Sequence, residues 1–274
     1  MRRAEREVRT SGGDPGGQAV NPRPMPSVET RFAPCAVIPV YNHERAVGKV
    51  LAAVRATGLP CVLVDDASSA ECARELDRLA AADAEVSLVR LPVNLGKGGA
   101  VTAGLRAARE RGFTHALQID ADGQHAMDDI ARFIDEGRAH PQSLVCGRPV
   151  FDAAMPKGRF YGRYLTHVFV WLNTLSFDIP DSMCGFRVYP LASVLKLVDS
   201  KRLGSRMDFD VEVLVRLHWR QVPMRWLPTR VSYPLDGVSH FRMVWDNVLM
   251  VRLQLKLLAG MLLRLPLLLW RKVR

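Results

Sequence analysis

The chain has 274 residues, of which 48% are hydrophobic, so it is long enough to bury a full core and too apolar to be disordered throughout. Its 38 Lys and Arg residues outnumber 28 Asp and Glu residues; the formal charge of +10 favours anionic partners such as phosphorylated substrates, anionic lipid or nucleic acid. The five cysteines show no Cys-x-x-Cys spacing, which argues against a disulfide framework or zinc site and favours a reducing compartment.

The amino-terminal segment Met1–Ser27 is rich in Arg, Gly and Pro and lacks the apolar core of a signal peptide. We expect residues 1–33 to be a disordered basic leader. The remaining sequence shows no internal repeat and no clear linker. We therefore expect one domain over residues 34–240, followed by appended amphipathic helices over residues 241–274.

Apolar runs alternate with helical patterns through the first half of the chain. The predicted strands are Ala36–Val40, Cys61–Asp65, Val86–Leu91, His115–Asp120 and Ser143–Cys146. Helices are predicted over about residues 45–56, from a capping box at Ser68 and Glu71 to about residue 81, and over Ala100–Arg111. This alternation predicts an α/β fold in which helices flank a mostly parallel sheet.

The alternation ends after Gly147. There the sequence predicts a helix over Gly158–Leu175, a loop leading into a short strand within Asp181–Tyr189, a helix over Arg206–Trp219 and an extended segment over Pro223–Tyr233.

Two carboxylates, Asp120 and Asp122, follow an apolar strand and precede the turn-forming Gly123. Such a turn brings both acids to one point at the end of the strand. Carboxylate oxygens suit a hard divalent cation such as Mg²⁺ or Mn²⁺, with substrate phosphate as a further ligand. The alternative is a solvated Asp-rich turn.

Polar or glycine-rich turns follow two other predicted strands, at Asp65 and Asp66 and at Asn94–Gly99. Ligands of parallel α/β sheets bind beyond the carboxyl ends of the strands, so these turns predict a shared site. We expect Asn94–Gly99 to cradle phosphate with free backbone N–H groups and the charge of Lys97, although it is not a Walker A loop. The alternative is a tight turn before a closely packed helix.

Four segments together, Val37–Glu44, Val64–Ser69, Asn94–Gly98 and Ile119–Gln124, resemble those of family-2 glycosyltransferases of the GT-A fold over roughly residues 35–245. The later Cys184–Tyr189 segment and the terminal apolar-basic helix resemble the polyprenyl-phosphate (dolichyl-phosphate) mannosyl- and glucosyltransferases. The resemblance implies a Rossmann-like GT-A domain. It also implies metal-dependent, inverting transfer of a hexose from a UDP- or GDP-linked sugar to polyprenyl phosphate or another amphiphilic acceptor.

The resemblance also implies roles for individual residues around the donor. Asp120 and Asp122 would bind Mg²⁺ or Mn²⁺, with Gln124 as a further contact. The intervening His43 displaces Glu44 from the usual Tyr-Asn-Glu pattern, and Asp66 has the alternative role of a helix N-cap partner. The implied nucleotide-binding residues are Pro39, Tyr41, Asn42, Glu44, Asp66, Gly96, Lys97, Asp120 and Ala121.

Arginines are implied at the acceptor side, with Arg148 after the fifth strand, and Arg163 and Arg187 as phosphate-binding residues. His240 and Arg242 would belong to a loop that closes over the donor diphosphate. The catalytic candidates are Arg148 together with Asp210 or Asp208. A hydroxyl acceptor needs a base and a phosphate acceptor needs none, and acids at a helix start are favourable in any protein.

The carboxyl-terminal segment Val248–Trp270 is leucine-rich but is interrupted by Arg252, Lys256 and Arg264, so no uncharged stretch is long enough to span a bilayer. Pro266 is expected to end or kink a helix. We expect an amphipathic helix whose basic residues meet an anionic membrane surface on the cytoplasmic side. The alternative is a core-packing helix or a homo-oligomer interface.

The expected partners are therefore a nucleotide sugar, a lipid-linked acceptor and a membrane surface, without nucleic acid. A nucleotidyltransferase is a competing enzyme class, but the NTP-cradling signature is absent near the first strand. A non-catalytic basic nucleic-acid-binding module is the other alternative; the basic residues cluster with leucines instead of forming a nucleic-acid motif.

Overall fold

A computed structural model describes residues 31–151, 157–232 and 243–273 of the chain. The expected leader up to Thr30, and His240 and Arg242 of the expected closing loop, lie outside the described residues.

The described residues contain one seven-stranded sheet of order β3-β2-β1-β4-β6-β5-β7. β1–β2, β2–β3, β1–β4 and β5–β7 pair in parallel, whereas β6 runs antiparallel to both β4 and β5. The predicted α/β fold with a mostly parallel sheet is thus confirmed. The strands are β1 Pro34–Val40, β2 Cys61–Asp65, β3 Val86–Arg90, β4 His115–Gln118, β5 Leu144–Phe151, β6 Arg187–Pro190 and β7 Met224–Val231.

Helices cover both faces of this sheet. Two of them, α4 and α6, were not predicted, although buried Ile130, Phe133 and Ile134 give α4 a helical apolar spacing. The helices are α1 Glu44–Ala56, α2 Ala70–Ala82, α3 Lys97–Glu110, α4 Ile130–Ala139, α5 Lys157–Thr174, α6 Leu191–Ser200, α7 Asp208–Trp219, α8 Met243–Leu262 and α9 Leu265–Val273, with a 3-10 helix at Met127–Asp129.

Alternate residues of β1 belong to two separate cores, because successive strand side chains point to opposite faces. Cys35 and Val37 pack in the core that contains residues of α3 and α7. Ala36 and Ile38 pack in the core that contains residues of α1 and α2. The central strands are therefore covered on both faces, which explains their nearly continuous apolar sequence.

The first turn of α2 differs from the predicted capping box. Ser69, not Ser68, is the N-cap, and its hydroxyl accepts a hydrogen bond from Cys72 N at 3.3 Å. The backbone N–H of Ser68 instead donates to Asp65 Oδ1 at 2.9 Å. Ala67 has a φ of 55°, so the chain turns sharply after β2 and the helix begins one residue later than expected.

α8 ends at Leu262, shortly before Pro266, as predicted, and Pro266 itself lies in the first turn of α9, where proline is tolerated. One side of these helices is buried in the core that also contains residues of α3 and α7, through Leu253, Leu257, Met261 and Leu268. No helix among the described residues combines the length and apolar character needed to cross a bilayer.

Two basic residues of this region do not point away from the domain as expected. Lys256 Nζ lies 2.8 Å from Glu212 Oε1, and the guanidinium of Arg264 stacks 4.7 Å from the centre of the Trp219 ring. Glu212 is fully buried, so it requires a nearby cation and holds Lys256 against the domain.

Candidate active site

The ends of β1, β2 and β4 meet at one edge of the sheet, as the sequence predicts. Val40 pairs with Asp65, and Val37 pairs with Gln118. The residues that follow these strands therefore lie on adjacent turns: Pro39 to Glu44 at β1, Asp66 after β2, and Asp120 to Gln124 after β4.

Asp66 holds the glycine-rich turn before α3. Its carboxylate accepts hydrogen bonds from Leu95 N at 2.6 Å and Gly96 N at 2.9 Å. Burial raises the pKa of Asp66 above its usual value although both N–H groups favour the charged form. Gly99 N donates to Ser205 O at 2.9 Å. The expectation of a cradle with free N–H groups is therefore wrong at Leu95, Gly96 and Gly99, because these donors already have partners within the protein.

Asn42 has a similar structural task at the end of β1. Its Oδ1 accepts from Ser69 N at 2.7 Å and its own N–H donates to Ser68 Oγ at 3.2 Å, so the turns after β1 and β2 are tied together. Nearby, Glu44 Oε2 is buried and has no hydrogen-bond partner among the described residues. Of these two predicted nucleotide contacts, Glu44 is the one with an available acceptor.

Lys97 lies between two carboxylates that come from different parts of the chain. Its Nζ is 2.8 Å from Asp120 Oδ2 and 3.0 Å from Asp210 Oδ2. Burial disfavours the charge on the amine, but the two carboxylates outweigh this and raise the pKa of Lys97. Conversely, Lys97 and His125 outweigh the burial of Asp120 and lower its pKa well below the usual range. Lys97 and Asp120 are therefore both charged at neutral pH.

The other oxygen of Asp120 is available to a ligand. Asp120 Oδ1 is buried without a hydrogen-bond partner among the described residues, whereas Oδ2 faces Lys97 and lies 3.5 Å from His125 Nε2. The turn is closed by a hydrogen bond from Gln124 N to Asp122 Oδ1 at 3.0 Å. A carboxylate oxygen without a protein partner, in a turn that also carries Asp122, fits a hard divalent cation.

Protein ligands alone would not complete such a site. Across the described ranges, no three His, Cys, Asp or Glu side chains come together as a ready metal cluster. Asp120 and Asp122 would supply two carboxylates, so the remaining ligands would come from Gln124, water or substrate phosphate.

Gly185 brings the backbone of the loop before β6 against this cluster. A Cβ atom at Gly185 would lie 2.7 Å from Lys97 Nζ, 2.8 Å from Gln118 Nε2 and 3.1 Å from Asp120 Oδ2. A side chain at this position would therefore displace Lys97 and Gln118 from their places in the cluster.

The prediction that Arg187 binds phosphate is wrong, because its side chain is only 1% exposed. Its Nη1 donates to Tyr189 Oη at 3.2 Å and to the carbonyl of Asp210 at 2.9 Å, and its Nη2 donates to Ser182 O at 3.0 Å. Arg187 therefore holds the backbone at Asp210 in place from the interior of the protein.

Asp208, at the start of α7, accepts from Arg206 N at 3.0 Å, which matches the alternative of a helix-start acid. Asp210 alone of these two acids reaches the Lys97 cluster.

Arg148 and Arg163 line one cavity, together with Phe151, Tyr164, His167 and Asp181. Arg148 is exposed and lies within β5, which extends to Phe151 instead of ending at Cys146 as predicted. Arg163 comes from α5 and forms a two-point ion pair with Asp181, with Nε–Oδ2 and Nη2–Oδ1 distances of 2.6 Å. The structure thus brings together two of the three predicted acceptor-side arginines.

Sequence reasoning missed His125 and Asp181. His125 directly follows Gln124 and stacks on Phe186 with ring centroids 5.3 Å apart. Asp181 begins the segment that carries Gly185 and Arg187. The available signals were the place of His125 next to Gln124 and the place of Asp181 at the start of the predicted Asp181–Tyr189 segment.

The chain belongs to glycosyl transferase family 2, whose model matches residues 35–195. A UDP-N-acetylglucosamine–dolichyl-phosphate N-acetylglucosaminyltransferase of Methanococcus voltae is 26% identical over 218 residues, covering 72% of this chain and 86% of that protein. An undecaprenyl-phosphate mannosyltransferase of Micrococcus luteus is 27% identical over 191 residues, covering 66% and 75%. Family membership decides against the nucleotidyltransferase and nucleic-acid-module alternatives.

Solved structures share the GT-A-like fold. Glucosyl-3-phosphoglycerate synthase from Mycobacterium tuberculosis, in complex with Mn²⁺, UDP-glucose and phosphoglyceric acid, has a TM-score of 0.62 at 13% identity, covering 84% of this chain and 79% of that one. A mannosyltransferase from Pyrobaculum calidifontis, in complex with GDP-mannose and Mn²⁺, has a TM-score of 0.52 at 17% identity, covering 76% and 59%.

Proposed function

We propose that this chain transfers a hexose from a nucleotide sugar to a polyprenyl phosphate at a membrane surface. The observation that carries the proposal is the loop before β6. Its Asp181 lines the cavity of Arg148 and Arg163, and its Gly185 lies against Lys97 and Asp120. A cavity lined by two arginines and a cluster that contains an unpartnered carboxylate oxygen are thus joined by one short segment.

The donor would occupy the strand ends. Asp120 and Asp122 would hold Mg²⁺ or Mn²⁺, with Gln124 as an accessory contact. A bound divalent cation neutralises the charge that develops on a diphosphate leaving group. Lys97 adds a fixed positive charge beside Asp120, while Asp66 keeps the turn that carries Lys97 in place. Glu44 Oε2, buried and unpartnered, is available to a donor group of the nucleotide.

The acceptor phosphate would bind between Arg148 and Arg163, since guanidinium groups match phosphate oxygens. A phosphate acceptor is already anionic and needs no general base. Asp210 is only 3% exposed and is paired with Lys97, so its proposed role is to orient Lys97 instead of removing a proton.

The membrane-facing surface would be formed by α5, α8 and α9. These helices expose many large apolar side chains, whereas soluble monomers rarely expose a large contiguous apolar patch. The chain would lie on the cytoplasmic face, and its helices after residue 240 would contact the lipid. The exposed residues are Leu165, Val168, Phe169, Leu172, Val248, Val251, Leu255, Leu262, Leu263, Leu267, Leu269 and Trp270.

The test is thermal-shift binding of UDP-, GDP- and dTDP-sugars with and without Mn²⁺, followed by a transfer assay with farnesyl phosphate. We expect one donor to stabilise the protein only with Mn²⁺ and Asp122→Ala to lose this stabilisation. Asp128→Ala, which removes an exposed acid from the neighbouring 3-10 helix, is the matched control. Metal-independent binding by every donor, or transfer to water alone, contradicts the proposal.

A further inference from the structure

Arg163 makes more contacts than an ordinary surface arginine, and the proposed reaction alone does not account for them. The Asp181 carboxylate accepts hydrogen bonds from two of its guanidinium nitrogens, Nε and Nη2, each at 2.6 Å. His167 Nε2 lies 3.2 Å from Asp181 Oδ2 on the same side of the cavity. The Asp181 side chain is 5% exposed and that of Arg163 is 14% exposed, so water screens this pair little.

Asp181 is itself fixed by its own loop. Its Oδ1 accepts from Met183 N at 3.0 Å and from Cys184 N at 2.8 Å. These hydrogen bonds fix the Asp181 carboxylate in its loop. The fixed carboxylate in turn sets the plane of the Arg163 guanidinium. The third nitrogen, Nη1, has no hydrogen-bond partner among the described residues.

We propose that Asp181 is a positioning residue that orients Arg163 toward the acceptor phosphate, with His167 completing the support. This inference rests on the proposed function. A bidentate pair fixes both the direction and the plane of a guanidinium, which a single contact does not. With Nε and Nη2 occupied, Nη1 is left to face the cavity that Arg148 also lines. The cost of ordering the long Arg163 side chain is then met during folding and not at the moment of binding.

The decisive variant is Asp181→Asn. An asparagine whose oxygen replaces Oδ1 still accepts from Met183 N and Cys184 N, so the loop keeps its anchor. Its amide nitrogen replaces Oδ2 and faces the Nε donor of Arg163, so the two-point grip is lost. Arg163→Lys makes the converse change, because it keeps the positive charge without the fork.

The experiment measures binding of farnesyl phosphate to the full chain by calorimetry, with farnesol as the ligand that lacks phosphate. We expect Asp181→Asn and Arg163→Lys each to weaken farnesyl phosphate roughly tenfold and to leave farnesol unchanged. The double variant should be no worse than either single one, since both remove the same oriented group. Asp199→Asn, which breaks the exposed Arg106–Asp199 pair outside the cavity, is the matched control.

The outcomes separate the inference from the function on which it rests. If the wild-type chain binds farnesyl phosphate no better than farnesol, the proposed acceptor is wrong and the inference falls with it. If the wild type prefers the phosphate but Arg163→Lys retains that preference, only the positioning role is overturned, even where Asp181→Asn fails to fold. Losses that add in the double variant also overturn it, because independent effects of this kind indicate that Asp181 does not act through Arg163.

Discussion

The ammonium group of Lys97 lies 2.8 Å from a carboxylate oxygen of Asp120, which joins the first turn of α3 to the turn after β4. The same ammonium reaches Asp210 on α7 at 3.0 Å. One cation therefore holds together three segments that are distant in sequence, and it does so where the proposed donor diphosphate binds. The ion pairs of the site therefore also stabilise the fold.

Lys97→Met is expected to lower the free energy of unfolding by roughly 3 kcal/mol or more, because it leaves Asp120 and Asp210 as buried carboxylates without their shared cation. Urea unfolding at pH 7 measures the change. Lys196→Met, at an exposed position on α6, is the control and should unfold near the wild-type midpoint. An equal midpoint for both variants would show that Lys97 does not balance this charge.

Arg187→Met tests the structural role assigned to this buried guanidinium. We expect a loss of stability of roughly 3–5 kcal/mol, since the partners on Asp210, Tyr189 and Ser182 are left without their donor. Calorimetric or urea unfolding gives the value, with the exposed Arg109→Met as the control. Unchanged stability with a selective loss of phosphate affinity would restore the role predicted from the sequence.

Gly104 packs α3 directly against the sheet. A Cβ atom there would lie 2.4 Å from Val37 Cγ1 and 2.9 Å from Val64 Cγ2, so Gly104→Ala should destabilise by about 1–3 kcal/mol. At Gly162 in α5 none of the described atoms lies within 4 Å of the added atom, and Gly162→Ala should stabilise by up to about 1 kcal/mol. Parallel thermal melts compare them; shifts of the same sign contradict the packing argument.

The exposed face of α8 is expected to bind lipid. Leu255 is 62% exposed and Leu257 is fully buried in the core, although they are two residues apart. Leu255→Asp should reduce co-sedimentation with phosphatidylglycerol vesicles severalfold and leave the melting temperature nearly unchanged. Leu257→Asp should instead lower the melting temperature strongly, because it buries a charge without a partner. Undiminished vesicle binding by Leu255→Asp would move the lipid contact away from α8.

Much of the parallel half of the sheet is predictable from the sequence, because β1, β2 and β3 are apolar runs separated by helical patterns. The insertion of β6 between β4 and β5 is not predictable in this way. Its register, with Gln118 opposite Arg187, depends on pairing between residues about seventy positions apart, which local periodicity does not encode.

The site was predictable where chemistry and strand ends coincide, as at Asp120 and Lys97. It was not predictable where burial decides the role. An arginine normally lies at the surface, but Arg187 begins a buried strand, where the carbonyl of Asp210 on α7 accepts from its guanidinium at 2.9 Å. Asp66 likewise binds backbone N–H groups that the folded turn aims at it.

The pH dependence of stability should identify the Asp181 ion pair. Burial alone raises the pKa of Asp181, but His167 and Arg163 outweigh it and hold the pKa well below its usual range. A carboxyl group whose pKa falls on folding stabilises fully above its unfolded pKa, about 4, and loses this contribution as the pH falls toward the folded value. The stability gap between wild type and Asp181→Asn should therefore shrink as the pH falls from about 5 to below about 4. Urea unfolding across this range, with Asp199→Asn as the baseline, measures it. A gap that widens on acidification would mean that the carboxylate is not the stabilising form.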